Sequence, residues 1–178
     1  RAARGFMVDL HSGESQRWGW LETAASGDEV TALQWNASST SVYVSFGPGG
    51  GSQGERSYRY DPDTGESVEL KGVAAVLEVG PQGQVVGLGA AASASDLDYP
   101  TGSQYGYLPL VLWLDDELVR IPRDPGLVSW DFAWMSDDGK TIVIRGSYAG
   151  EGEQRPCLEV LGLGDAGWEV DQVYDGGG

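Results

Sequence analysis

Trp130-Asp131-Phe132-Ala133-Trp134-Met135-Ser136-Asp137-Asp138-Gly139-Lys140-Thr141-Ile142-Val143-Ile144 is the stretch that decides the fold. An aromatic, apolar run enters a short turn of Ser, Asp and Gly, and a β-branched run leaves it. β-Branched and aromatic side chains suit a half-buried pleated surface. Asp and Ser bond back to the main chain in turns, and Gly accepts positive φ. The stretch therefore reads as an antiparallel hairpin. Two earlier stretches share its layout. Val30–Trp35 passes through Asn36-Ala37-Ser38-Ser39 into Ser41–Val44, and Ala75–Val79 passes through Gly80-Pro81-Gln82-Gly83 into Val85–Leu88. Matching Trp35, Val79 and Trp134 gives steps of 44 and 55 residues. The longer step contains Ala92–Gly106, which reads as an insertion; without about a dozen of its residues the period is roughly 43.

A second turn class alternates with the first. Asp61-Pro62-Asp63-Thr64-Gly65-Glu66 is matched by Asp9-Leu10-His11-Ser12-Gly13-Glu14, with looser versions at Leu114–Glu117 and Leu163–Gly167. Between the turns, apolar runs of four to eight residues read as fourteen strands: Gly5–Leu10, Ser15–Leu21, Val30–Trp35, Ser41–Phe46, Ser57–Tyr60, Ser67–Leu70, Val73–Val79, Gln84–Leu88, Leu108–Leu114, Glu117–Ile121, Ser129–Trp134, Thr141–Arg145, Cys157–Leu161 and Trp168–Val173. No stretch keeps a helical period without a Gly or Pro interrupting it. The chain is therefore expected to be all-β and β-propeller-like. Its blade-like units span about 5–21, 30–70, 73–121 and 129–173, or about three and a half four-stranded antiparallel blades. A β-sandwich is the alternative. Asp175–Gly178 reads as a frayed tail. Arg1 opens the chain without Met, so the numbering is expected to describe a mature product or a piece of something longer. Three and a half blades leave sheet edges open, which a second chain would complete.

Composition narrows the function classes. The 178 residues are enough for one domain and a core of their own. The net charge of −16 repels phosphate backbones and anionic headgroups, so nucleic-acid binding is not expected. Membrane insertion is not expected either, since no apolar run approaches the ~18 residues of a spanning helix. One Cys (Cys157) and one His (His11) supply neither a disulfide nor a zinc site.

The run Ala133–Ile142 resembles the WD40-like repeats of TolB-type β-propellers, whose pattern is an aromatic, then Ser-Pro-Asp-Gly-Lys, then an apolar strand. Here one extra residue precedes the turn and Asp137 stands where Pro is usual. The Asp-x-x-Thr-Gly-Glu turn at Asp61–Glu66 is the other hairpin of such blades, and Asp9–Glu14 is similar. The resemblance implies a binding platform, or a segment beside a hydrolase domain. It also allows an extracytoplasmic place, secreted or periplasmic, although one unpaired Cys suits a reducing cytoplasm equally well.

The sites that carry chemistry are few. Gly50-Gly51-Ser52-Gln53-Gly54 matches the spacing of a nucleophile elbow but lacks the entering strand and leaving helix, and reads as a hairpin loop. Gly139-Lys140-Thr141 imitates the end of a phosphate loop, with Trp134 where that loop needs Gly. Asn36-Ala37-Ser38 fits a glycosylation acceptor and equally a turn. His11 reads as an exposed hairpin-tip residue and Cys157 as a small core residue. Trp35 and Trp134 are expected in the core between blades.

The insertion at 92–106 is the best place for a binding surface. Tyr99, Tyr105 and Tyr107, with Asp96 and Asp98, are its candidate ligand- or partner-binding residues, and Asp96 and Asp98 are also the candidate Ca²⁺ ligands. The leading expectation is a non-catalytic binding or scaffold segment without a cofactor. It engages a protein or a ligand, and a homo-oligomer is one form such a partnership takes. The alternatives are an accessory propeller segment of a larger hydrolase and a Ca²⁺-stabilised extracellular β module.

Overall fold

The structure is a computed structural model and describes residues 5–8, 10–18, 29–47, 56–89, 110–114, 117–121, 127–148, 155–165 and 167–175. These form fourteen strands and no helix. β1 (Gly5–Val8) and β2 (Ser15–Trp18) make a two-stranded hairpin. The first four-stranded sheet is β3 (Glu29–Trp35), β4 (Val42–Gly47), β5 (Arg56–Tyr60) and β6 (Ser67–Glu69). The second is β7 (Val73–Val79), β8 (Val85–Gly89), β9 (Leu110–Leu114) and β10 (Glu117–Arg120). The third is β11 (Leu127–Met135), β12 (Thr141–Tyr148), β13 (Arg155–Gly164) and β14 (Gly167–Asp175). Each sheet pairs its strands antiparallel in chain order.

The first strands of the sheets lie side by side, β7 next to both β3 and β11. The second sheet therefore turns one face to the first sheet and the other to the third. Three meander sheets related by their first strands are propeller-like, and they replace the two-sheet sandwich alternative.

The two turn classes hold as local chemistry. In the β5–β6 turn, Asp61 Oδ1 accepts the main-chain N–H of Asp63 at 2.8 Å and of Thr64 at 3.1 Å. These bonds favour the charged carboxylate and hold Asp61 below the ordinary Asp range. Thr64 Oγ1 accepts from Glu66 N at 3.2 Å, as Ser12 Oγ does from Glu14 N at 3.2 Å in the β1–β2 turn. Gly65 and Gly13 follow with φ of 76° and 74°.

In the other class, Asn36, Gly80 and Ser136 each accept a main-chain bond from the residue three positions on: Ser39, Gly83 and Gly139. That residue has φ of 57°, 84° and 69° in turn. Ser39 is thus the one non-glycine at positive φ among the described residues. An L-residue there costs about 1–2 kcal/mol, part of which Gly would lose again to its freer unfolded chain. Ser39→Gly should therefore stabilise the fold by about 0.5–1 kcal/mol, read as a higher urea midpoint. A lower midpoint would show that Ser39 earns its place through contacts beyond its backbone.

Two apolar clusters join the sheets. Tyr43 from the first sheet packs with Val76, Val79, Val85 and Trp113 of the second. Val86, Leu110 and Leu112 of the second pack with Ile142, Ile144 and Leu161 of the third. A cluster of Val42, Val44, Phe46 and Tyr60 lies on the opposite face of the first sheet.

Polar bonds cross the same joints. Gln34 Nε2 donates to the Leu77 carbonyl at 2.8 Å. Glu78, one sheet further along, accepts a main-chain hydrogen bond from Met135. Burial raises the Glu78 pKa above its ordinary value of 4.5, and the Met135 bond offsets only part of this. A carboxyl with a raised native pKa stabilises the fold fully below its unfolded pKa. That contribution is lost as pH climbs through the native value. Glu78→Gln keeps an acceptor for Met135 and matches Gln34. It should raise stability at pH 7 by less than about 1 kcal/mol, since the group is partly solvated, and should change nothing near pH 3.5. Urea titrations at the two pH values check this; an equal effect at both would rule out ionisation as the cause.

Candidate functional site

Residues directly opposite one another in a ladder share a sheet face. On the first sheet the register aligns Gln34, Tyr43, Arg59 and Val68 in one row. On the second, the corresponding row is Glu78, Val86, Leu112 and Val119. Both rows face the following sheet: Gln34 reaches Leu77, Arg59 lies 5.9 Å from the ring centre of Trp113, and Glu78 bonds Met135. On the third sheet the same row is Trp134, Val143, Val160 and Gln172, and the next row is Phe132, Arg145, Leu158 and Tyr174.

This third face is open. Phe132, Trp134, Leu158 and Tyr174 are 49%, 45%, 42% and 54% exposed, and Val143 and Val160 are half-buried. The Arg145 guanidinium lies 5.8 Å from the ring centre of Phe132. The Tyr174 hydroxyl donates to Gln172 Oε1. Large apolar and aromatic side chains dominate the face, with exposed Arg145 and Gln172 in the same rows, whereas the solvated side of an antiparallel sheet is mostly polar. Its residues come from β11, β12, β13 and β14 together, so the whole sheet presents it.

The opposite end of the array also exposes apolar side chains. Leu33 and Trp35 on β3 are close to half exposed, although Val42 and Val44, on the same face, are fully buried.

These positions correct the expectation that Trp35 and Trp134 are both core. The turn bonds align Trp35 with Val79 and with Met135, each directly before the turn residue and paired with Val42, Val85 and Ile142. Trp134 is one residue earlier, and a one-residue shift on a strand moves a side chain to the other face. Val79 and Met135 are buried against the preceding sheet, whereas Trp35 has no full sheet before it among the described residues. The interface role therefore belongs to Val79 and Met135.

The comparisons with known proteins add little beyond this. No protein-family model matches the chain, and no curated protein matches it. Nine solved chains do. One comes from a structural and mechanistic study of two prolyl endopeptidases: 16% identity, TM-score 0.48, covering 84% of this chain and 21% of that one. The chain thus spans about a fifth of that protein's length. The propeller-like architecture rests on the sheet order and the joints between sheets.

The remaining sequence candidates sort by position. Tyr99, Tyr105, Tyr107, Asp96 and Asp98 lie outside the described residues, as does the Gly50–Gly54 loop. His11 is exposed in the β1–β2 turn and Cys157 is buried. Asp138 accepts from Ser136 Oγ at 2.6 Å and from Lys140 N at 3.1 Å, which lowers its pKa and commits it to the turn. Gly139-Lys140-Thr141 leads into strand β12, where a phosphate loop requires a helix. Asn36 Oδ1 accepts from Thr40 N at 2.9 Å and Ser41 N at 3.0 Å, and its Nδ2 bonds Ser38 and Thr40, so the sequon is spent on turn geometry.

Among the described residues, no three His, Cys, Asp or Glu side chains gather as a metal site, and no helix is long and apolar enough to cross a membrane. Sequence reading missed Phe132, Leu158 and Tyr174 as surface residues. The signal was present in β11: Phe132-Ala133-Trp134-Met135 is apolar on both faces, which marks a strand meant to be covered on both sides.

Proposed function

We propose that this chain is a non-catalytic, propeller-like binding or scaffold segment that engages a protein through its sheet faces. One observation carries the reading: four large apolar side chains on the open face of the third sheet are each more than two-fifths exposed on a protein of net charge −16. An aromatic patch with an Arg beside it has the composition of a protein interface core. The turns at Ala133–Ile142 and Asp61–Glu66 support placing the repeats with the WD40-like, TolB-type group. The acidic charge speaks against nucleic acid and anionic membrane surfaces as partners. The insertion at 92–106, with Tyr99, Tyr105 and Tyr107, is a second proposed contact. No cofactor is required, and an extracytoplasmic location is proposed on the TolB-type resemblance.

A panel of fluorogenic peptide, ester and glycoside substrates tests the reading. No turnover above buffer is expected, and turnover abolished by His11→Ala would overturn it in favour of a hydrolase. The melting temperature is expected not to move in millimolar Ca²⁺; a rise with Ca²⁺ but not with Mg²⁺ would favour a calcium-stabilised module, and its loss in Asp96→Asn and Asp98→Asn would place the ion at that pair.

A further inference from the structure

We propose that the open face of the third sheet receives the β3 face of a second copy of this chain, head to tail. The inference rests on the binding reading above and names its partner. It follows from continuity with the two joints already inside the chain. Row for row, Trp134 occupies the place of Gln34 and Glu78, the residues through which each earlier sheet bonds its successor. Trp35 occupies the place of Val79 and Met135, the residues each later sheet buries against its predecessor.

One end of the array therefore carries an unfilled successor face and the other an incompletely covered predecessor face. Both faces expose apolar side chains close to the turn that joins the first two strands of their sheet. Seating Trp35 and Leu33 of one copy over Phe132, Trp134 and Leu158 of another repeats the sheet-on-sheet contact twice made within the chain. A contact between two different faces is heterologous and propagates unless it closes. Two copies joined at both ends close it and leave neither face exposed. The charge of −16 on each copy opposes association, but at ~0.15 M salt charges more than about 8 Å apart are largely screened.

Native mass spectrometry and sedimentation velocity at about 10 µM, in the range of an ordinary micromolar interface, test this. The expected species has twice the 18.9 kDa chain mass. Trp134→Glu and Trp35→Glu should each weaken the dimer at least tenfold. Leu10→Asp, at the 95% exposed tip of the β1–β2 turn, should leave it intact. Circular dichroism and melting curves establish that each variant is folded. Mixing the two Trp variants should restore a one-to-one complex, because each retains the face that the other has lost.

A monomeric wild-type chain at this concentration would overturn the proposal and leave the face to a sheet of another polypeptide. A dimer lost with Trp134→Glu but untouched by Trp35→Glu would overturn the head-to-tail arrangement. Failure of the binding reading itself would be seen separately, as turnover in the substrate panel.

Discussion

Leu112→Ala is expected to lower the stability of the chain by about 2–5 kcal/mol, the largest effect of any single substitution considered for this protein. Leu112 is only 1% exposed and stands in the row by which the second sheet meets the third. Its cluster includes Val86, Leu110, Ile142, Ile144 and Leu161, drawn from both sheets. Truncation removes transfer energy and also leaves a cavity between two rigid ladders that cannot easily close over it. Because the sheets stack one after another, a weakened joint should also reduce cooperativity, and the third sheet should unfold ahead of the other two. Urea unfolding followed by far-UV circular dichroism and by tryptophan fluorescence reads both effects. Coincident transitions shifted by less than about 1 kcal/mol would mean that this joint is not the second sheet's main attachment to the third.

The second large effect is polar. Ser45 and Ser57 are fully buried, and their hydroxyls lie 2.8 Å apart. Ser57 Oγ donates to the Ala74 carbonyl at 3.0 Å, and Ser45 Oγ accepts from Val76 N at 2.8 Å. With the Ser57 proton committed to Ala74, Ser45 must be the donor to Ser57. The proton chain therefore runs from Val76 N–H through both hydroxyls to the Ala74 carbonyl. β7 carries bulges between Val73 and Ala75 and between Val76 and Glu78, where its ladder to β8 is interrupted. The two serines of the first sheet take up main-chain groups of the second around those bulges. Ser45→Ala strands the Val76 N–H in the joint and should cost about 2–3 kcal/mol. Ser57→Ala should cost a similar amount through Ala74. The double variant should cost clearly less than the sum, because both members serve one chain of bonds. Additive effects in a double-mutant cycle would show that the hydroxyls act independently.

How legible all this was in the sequence depended on the range of the cause. The fourteen strands, the two alternating turn classes and the four-stranded repeat were readable, because each is set within a few residues. Asp61 bonds its own turn, Gly65, Gly83 and Gly139 sit where φ turns positive, and β-branched runs fill the strands between. The Gly missing from the first copy was also visible, although only the structure places Ser39 itself in the left-handed region. The candidate surface was harder. Trp134 looks like the partner of Trp35 until the turn hydrogen bonds are counted, and the difference of one residue decides which face each ring takes.

The sequence by itself therefore determined an all-β chain of repeated hairpins, acidic, with aromatic inner strands. Those properties follow from local propensity, turn chemistry and composition. Only the tertiary structure decided which face of each sheet meets a neighbour. It alone paired Ser45 and Ser57 with β7, and it alone left Phe132, Trp134, Leu158 and Tyr174 uncovered. The physical reason is that a strand such as β11, apolar on both faces, does not encode which of them has a partner. That depends on how many sheets stand beside it, and on the third sheet one of the two faces is open.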